Sequence, residues 1–189
     1  PACNSLRMLH TVVISDIHLC EVEREDGLWM RYRQRPFLPD QELAQMLAAV
    51  RERVRGDTLT LVLNGDVFDL DAPRVIGNKS VFHDHPRDAA HAVPGMKGIL
   101  DDHPVFVDAL GRVLAEGHEI VLISGNHDVQ LTLPEVRALV RERLVEAALA
   151  VLAEDGREVP RAAIEARVAF RAWFHKTADG IVIEHGNQY

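Results

Sequence analysis

The chain has 189 residues, of which 47% are hydrophobic and 26% are charged, and its formal net charge is -8. This length fits a single domain with a substantial core, and the composition excludes an intrinsically disordered chain. The acidic balance argues against nucleic acid as a general partner, because nucleic-acid binders usually present a basic surface.

Two cysteines, Cys3 and Cys20, form neither a CxxC pair nor a disulfide framework, which favours a reducing compartment. No apolar run reaches the length of a membrane-spanning helix, and the N-terminus lacks the apolar region of a signal peptide. We therefore expect a cytoplasmic protein. Because the first residue is Pro1 rather than Met, a leader peptide that has been removed stays an alternative. The amphipathic stretch 136–152 leaves peripheral membrane contact as an alternative to packing on the sheet. The sequence indicates no oligomeric state.

Four short β-rich runs mark the expected strands. The two central runs are almost continuously apolar, which is typical of strands buried on both faces. A turn at Ala178–Gly180 is expected to divide the last part of the chain, Phe170–Glu184, into two strands. The four runs are Leu9–Ser15, Thr58–Leu63, Glu119–Ser124 and Ile181–Glu184.

Three helical patterns lie between these runs. They begin near Asp40, His103 and Pro134, and Gly56 and Gly117 follow the first two. The alternation of strands and helices predicts an α/β fold with a largely parallel sheet. We expect residues 1–189 to form one domain.

The segment 71–102 breaks this alternation. It contains three prolines, several glycines and scattered histidines. Long irregular segments within compact domains are usually functional loops or poorly ordered ones, so we expect an insertion or a lid here.

Each β-rich run is followed directly by residue types that bind metals. Within an extended segment, residues two apart point to the same side, so an Asp-x-His pair can reach one ion. The carboxyl ends of parallel strands meet at one edge of the sheet, and the sequence therefore predicts a metal site at that edge. The residues are Asp16 and His18, then Asp66 and Asp69, then Asn126, His127 and Asp128, and finally His185.

These short stretches resemble the first four signature blocks of the calcineurin-like metallophosphoesterases. The matching stretches are DIH at 16–18, GDVFD at 65–69, GNHD at 125–128 and HG at 185–186. The resemblance spans almost the whole chain and implies a β-sandwich flanked by α-helices that carries a two-metal phosphoester hydrolase site.

The resemblance also implies a role for each metal-binding residue type. Carried over by position, Asp16 and His18 would bind the first metal, Asp66 would bridge both metals, and Asn126 and His185 would bind the second. This mixture of ligands suits borderline divalent ions better than Ca²⁺. We expect two such ions, with Mn²⁺ favoured and Fe²⁺ or Zn²⁺ as alternatives, and a bridging hydroxide that attacks phosphorus in line.

The remaining three residues of the blocks receive supporting roles from the resemblance. His127 would lie beside the scissile phosphate as an acid or as a stabiliser of charge, and Asp128 would orient it. Asp69 would hold the ligands in place.

One block of the family is missing from this chain. The family's last block, Gly-His-x-His, supplies one further histidine to each metal, but the only Gly-His pair here is Gly117–His118. We therefore expect a chain that lacks its C-terminal strands and two ligands, which leaves the activity of this fragment open.

The expected substrate is a small-molecule or lipid-linked phosphoester, and Arg31 and Arg33 could bind its phosphate. A solvated loop is the simpler interpretation of these arginines. Two other functions stay open, namely a metal-dependent DNA nuclease and a catalytically impaired binding or scaffold protein with the same fold.

Overall fold

A computed structural model describes residues 7–23, 33–72, 74–76, 79–81 and 85–187. Its centre is a four-stranded parallel sheet in the order β1–β2–β5–β6. The strands are β1 (Leu9–Ile14), β2 (Thr58–Asn64), β5 (Glu119–Ile123) and β6 (Val168–Arg171). The sequence-based expectation of an α/β fold with a parallel sheet is confirmed.

Five α-helices lie in the described part of the chain. Three of them, α1, α3 and α4, begin within a residue of the predicted positions, and α1 and α3 end shortly before Gly56 and Gly117. The helices are α1 (Asp40–Arg53), α2 (Ala89–Asp102), α3 (Pro104–Ala115), α4 (Pro134–Glu154) and α5 (Arg161–Glu165). None of the helices that the structure describes is long and apolar enough to cross a lipid bilayer.

The two faces of the sheet pack against different partners. On one face, Leu61 and Leu122 belong to the large core that the helices complete. On the other face, Val62 and Val121 pack against Ile183. Ile183 belongs to an antiparallel hairpin of β7 (Phe174–Lys176) and β8 (Val182–Glu184). Strand β2 is therefore buried on both sides, as its continuous apolar sequence predicts.

The fourth strand of the sheet differs from the predicted one. The run before His185 was expected to be a strand of the parallel sheet. In the structure, β6 is the fourth strand of that sheet, and β8 lies in the separate hairpin. Val168 is buried and pairs in register with Ile120, so this short segment completes the core. The turn before β8 lies where it was predicted, with Gly180 at a positive φ of 94°.

The prediction of an irregular segment at 71–102 is wrong for most of its length. The structure forms a short hairpin of β3 (Arg74–Ile76) and β4 (Lys79–Val81), followed by α2. Helix α2 forms despite its internal Pro94, because it buries Ala92, Met96, Ile99 and Leu100 in the core. Burial of this apolar stripe outweighs the low helix propensity of proline and glycine.

A buried ion pair joins the start of α1 to the start of α3. Nδ1 of His103 lies 2.8 Å from Oδ2 of Asp40, and Nε2 of His103 lies 2.9 Å from the carbonyl oxygen of Cys20. A carboxylate and a carbonyl only accept hydrogen bonds, so a ring with a hydrogen on each nitrogen, the imidazolium, satisfies both partners. Burial alone would lower the pKa of His103, but its bonds to Asp40 and to Cys20 raise it above its ordinary value.

We expect this pair to make stability depend on pH. The pKa of His103 is higher in the folded chain than in the unfolded chain. The stabilisation that the pair adds to the folded state is therefore complete below the unfolded pKa, about 6.5. This stabilisation is lost as pH rises through the folded pKa. Urea unfolding of the wild type and of His103→Gln should show a gap in free energy of unfolding that narrows with rising pH. His91→Gln, at an exposed histidine of α2, is the matched control. A gap that stays constant across this pH range would contradict the charged pair.

Candidate metal centre

The loops after β1 and β2 continue the parallel pairing of their strands and carry the first predicted ligands. The N–H of Asp16 donates to the carbonyl of Gly65 at 3.2 Å, and the N–H of His18 donates to the carbonyl of Asp66 at 3.0 Å. An isolated bridge between Leu19 and Phe68 extends this pairing. The two ligand-bearing loops are thus held side by side at the carboxyl edge of the sheet, as the sequence predicts.

The backbone is strained at three of the predicted ligands. Asp16 and His18 have φ values of 55° and Asp66 has a φ of 51°, and within the described residues they are the only non-glycine residues at positive φ. Such conformations cost on the order of 1–3 kcal/mol each and persist only where the surrounding structure imposes them. Because these conformations coincide with the predicted ligands, the two loops form the candidate functional site.

Asp16, Asp66 and His185 form a first cluster, which we call the Asp66 cluster. One ligand atom of each residue lies within 4.8 Å of the others. Nε2 of His185 lies 3.1 Å from Oδ2 of Asp66, and Nδ1 of His185 lies 2.9 Å from the carbonyl oxygen of Asn64. A carbonyl only accepts, so Nδ1 carries the hydrogen and Nε2 faces the carboxylate. A cation bound by both atoms would offset the repulsion between the lone pairs of Nε2 and of the carboxylate oxygen.

His18, Asp69 and His127 form a second cluster, the Asp69 cluster, under the same distance criterion. Oδ1 of Asp69 is buried and accepts no hydrogen bond from any residue that the structure describes. It lies 3.3 Å from Nδ1 of His127, but the hydrogen on that nitrogen points to Asp71. Burial and the adjacent Asp71 carboxylate raise the pKa of Asp69 to about 7. A cation bound here would satisfy the unpartnered oxygen and offset the repulsion between the two carboxylates.

The clusters group the residues differently from the roles that the resemblance implies. His18 lies with Asp69 and His127, whereas the resemblance pairs it with Asp16. Asp69, expected only to support the ligands, offers a ligand atom itself. Asn126 is exposed beside the clusters, and the N–H of His127 that follows it donates to Oδ1 of Asp66 at 2.9 Å.

Asp71 accepts the hydrogen bond that orients the ring of His127. This residue is not among the predicted site residues. Nδ1 of His127 lies 2.9 Å from Oδ1 of Asp71. Burial alone would lower the pKa of His127, but this bond and the carboxylates of Asp69 and Asp66 raise it. Burial alone would also raise the pKa of Asp71, but its hydrogen bonds to Asp69 and His127 lower it to about 2. The one available signal was an aspartate two residues after Asp69, the spacing at which side chains share a side.

Asp128 holds the main chain instead, so the prediction that it orients His127 is wrong. Its side chain is fully buried, and its two oxygens accept three main-chain hydrogen bonds. Gly125 donates to Oδ1 at 2.7 Å, and Val67 and Phe68 donate to Oδ2 at 2.9 and 3.3 Å. Burial raises the pKa of Asp128, while these three N–H groups act in the opposite direction. Asp128 thus ties the loop after β5 to the loop after β2.

Two glycines allow the loops of the site to approach each other closely. A Cβ at Gly65 would lie 2.5 Å from Cγ of His185, and a Cβ at Gly125 would lie 2.5 Å from the main-chain nitrogen of Asp66. Gly65 also has a positive φ of 77°. Both positions require glycine because no side chain fits between the loops.

The predicted phosphate-binding arginines receive no support from the structure. Arg31 lies outside the described residues. Arg33 is buried, and its Nε and Nη2 donate to the carbonyl of Glu21 at 3.0 and 2.8 Å. Beside it, burial raises the pKa of the Cys20 thiol to about 11, so this cysteine is not a nucleophile at neutral pH.

The side chains of both clusters are suited to divalent transition metals. Carboxylate oxygens combined with imidazole nitrogens are the ligands of borderline ions such as Mn²⁺, Fe²⁺ and Zn²⁺. The hydrogen bond from His185 to a main-chain carbonyl is also typical of metal-binding histidines. The residues present therefore fit a metal site.

Comparison of the chain with family models, with curated proteins and with solved structures finds no match.

Proposed function

We propose that this chain is a metal-dependent phosphoester hydrolase of the calcineurin-like metallophosphoesterase type. The observation that carries the proposal is the convergence of segments far apart in the sequence on the two neighbouring clusters, with strained backbone at three of the predicted ligands. The hairpin of β7 and β8 on the second face of the sheet supports a sandwich architecture of that type.

Divalent ions bound at such clusters polarise phosphate oxygens and provide a water-derived nucleophile near neutral pH. Asp16, Asp66 and His185 would hold one ion, and His18 and Asp69 would contribute to a second beside Asn126. We assign His127 to the leaving oxygen rather than to this ligand set, as the resemblance implies, and its Nδ1 gives its hydrogen to Asp71. In its charged form, the ring then carries a proton on Nε2 for the leaving oxygen.

The substrate class follows from this chemistry and from charge. The site supplies carboxylates and imidazoles but no described arginine for a phosphate, so the ions themselves would bind the substrate's phosphate oxygens. A small-molecule or lipid-linked phosphoester in the cytoplasm fits the net charge of -8 better than nucleic acid does.

Metal content and hydrolysis test the proposal together. The purified chain, loaded with Mn²⁺ and desalted, should retain the metal and release 4-nitrophenol from bis(4-nitrophenyl) phosphate. Treatment with EDTA should abolish the release, and added Mn²⁺ should restore it. A chain that retains neither Mn²⁺, Fe²⁺ nor Zn²⁺ would overturn the proposal.

A further inference from the structure

A chain of four polar side chains begins at His127 and leads away from the two clusters. Oδ1 of Asp71 lies 2.9 Å from Nδ1 of His127, and Oδ2 of Asp71 lies 3.2 Å from Nε2 of His85. Nδ1 of His85 in turn lies 3.5 Å from Nε2 of Gln130, which donates to the carbonyl of Pro86 at 3.0 Å. Each oxygen of Asp71 therefore meets a different imidazole.

The two ends of this chain differ in exposure. Gln130 is almost fully buried, whereas the side chains of His127 and His85 are 35% and 39% exposed. Gln130, at one end, therefore lies in the protein interior, and His127, at the other end, lies at the proposed metal centre. Such an arrangement can orient the His127 ring toward a substrate, because Asp71 is held through both of its oxygens.

We propose that Asp71 is a positioning residue that presents Nε2 of His127 to the leaving group, and that His85 fixes Asp71 in this role. The inference rests on the proposed function. Hydrolysis breaks the bond between phosphorus and the leaving oxygen and adds the hydroxyl of water to phosphorus. The leaving oxygen keeps the bonding electron pair and takes a proton from Nε2 of His127, and the proton released from water returns to the ring.

The effect of losing this orientation depends on the leaving group. A phenolate that is a weak base, such as 4-nitrophenolate, departs without help, whereas phenolate itself needs a proton as the bond breaks. Removal of Asp71 should therefore slow the hydrolysis of the phenyl ester selectively. A purely structural role of Asp71 would slow both esters equally.

The first measurement compares kcat and KM of Asp71→Asn on the 4-nitrophenyl and phenyl phosphodiesters. General acid catalysis contributes roughly 10²–10⁴-fold, so we expect kcat for the phenyl ester to fall at least about tenfold. The KM values and the metal content should stay close to those of the wild type, and the rate on the 4-nitrophenyl ester should fall much less than the rate on the phenyl ester. His85→Gln should show the same pattern with a smaller loss.

Asp57→Asn is the matched control, because Asp57 also pairs with an imidazole. Its Oδ2 lies 3.0 Å from Nε2 of His10, before the start of β2 and away from the site. This variant should leave both rates unchanged. Equal losses of Asp71→Asn on the two esters, or a loss of bound metal, would overturn the inference while leaving the proposed function standing. A wild type that hydrolyses neither ester would overturn both.

A second measurement does not depend on activity. In the metal-free chain, the proton on Nδ1 of His127 should give a slowly exchanging ¹H–¹⁵N signal, which His127→Gln identifies by its disappearance. Asp71→Asn should remove this signal or shift it upfield, and Asp57→Asn should leave it in place. A signal that is unchanged in Asp71→Asn would contradict the orienting hydrogen bond.

Discussion

Replacement of Asp66 by asparagine is expected to abolish binding of the ion at the Asp66 cluster. Oδ2 of Asp66 faces Nε2 of His185, and Oδ1 accepts the N–H of His127. Asparagine tolerates the left-handed φ of 51° and keeps an oxygen for that N–H group, so the loop should fold while the charge is lost. Mutation of a residue that only supports a ligand lowers metal affinity about 10–100-fold. Mutation of a ligand itself should lower metal affinity further.

Metal analysis by mass spectrometry and titration calorimetry with Mn²⁺ measure this loss. Asp108→Asn, at an exposed carboxylate of α3, removes the same charge and should keep the metal content of the wild type. Unchanged metal content in Asp66→Asn would show that the cluster is not a metal site.

Replacement of Gly65 by alanine is the second large effect that we expect. The new methyl group would lie 2.5 to 2.8 Å from Cγ, Nδ1 and Cβ of His185, and the backbone has a positive φ of 77°. A left-handed alanine costs about 1–2 kcal/mol, and a steric overlap in a packed region costs about 1–3 kcal/mol. We expect the free energy of unfolding to fall by roughly 2–5 kcal/mol, with His185 displaced from Asn64.

Gly117→Ala separates the two contributions to this loss. Gly117 has a φ of 95°, but nothing lies within 4 Å of the position that its Cβ would take. Its variant should show only the conformational cost in urea unfolding and should keep metal binding. Equal destabilisation in the two variants would mean that the loop at Gly65 has room for a side chain.

The sheet and most of its helices could be predicted because their patterns are local. The continuous apolar runs of β2 and β5 and the helix starts near Asp40 and Pro134 depend on neighbouring residues alone. Helix α2 was missed because Pro94 and two glycines argue against a helix, and only its burial in the core compensates. Strand β6 was merged with the hairpin because no turn signal separates Arg171 from Phe174.

The candidate site was predictable to the level of residues but not of contacts. The ends of the β-rich runs identified ligand types, and the structure brings Asp16, Asp66 and His185 together. His185 nevertheless follows the separate hairpin rather than a strand of the parallel sheet. The partner of His127 could not be chosen from sequence, because Asp69, Asp71 and Asp128 are all acidic residues in neighbouring loops. The left-handed conformation of Asp66 likewise leaves little trace in the sequence.

The Asp66 cluster joins the first strand of the sheet to the residue that follows the last hairpin. An ion held there acts as a cross-link across nearly the whole sequence, and it exists only when every intervening element has folded. Metal that binds only the folded chain adds RT ln(1 + [metal]/Kd) to stability, about 2.7 kcal/mol at a hundred times Kd. Metal supply would thus set how much folded protein a cell retains as well as how active that protein is.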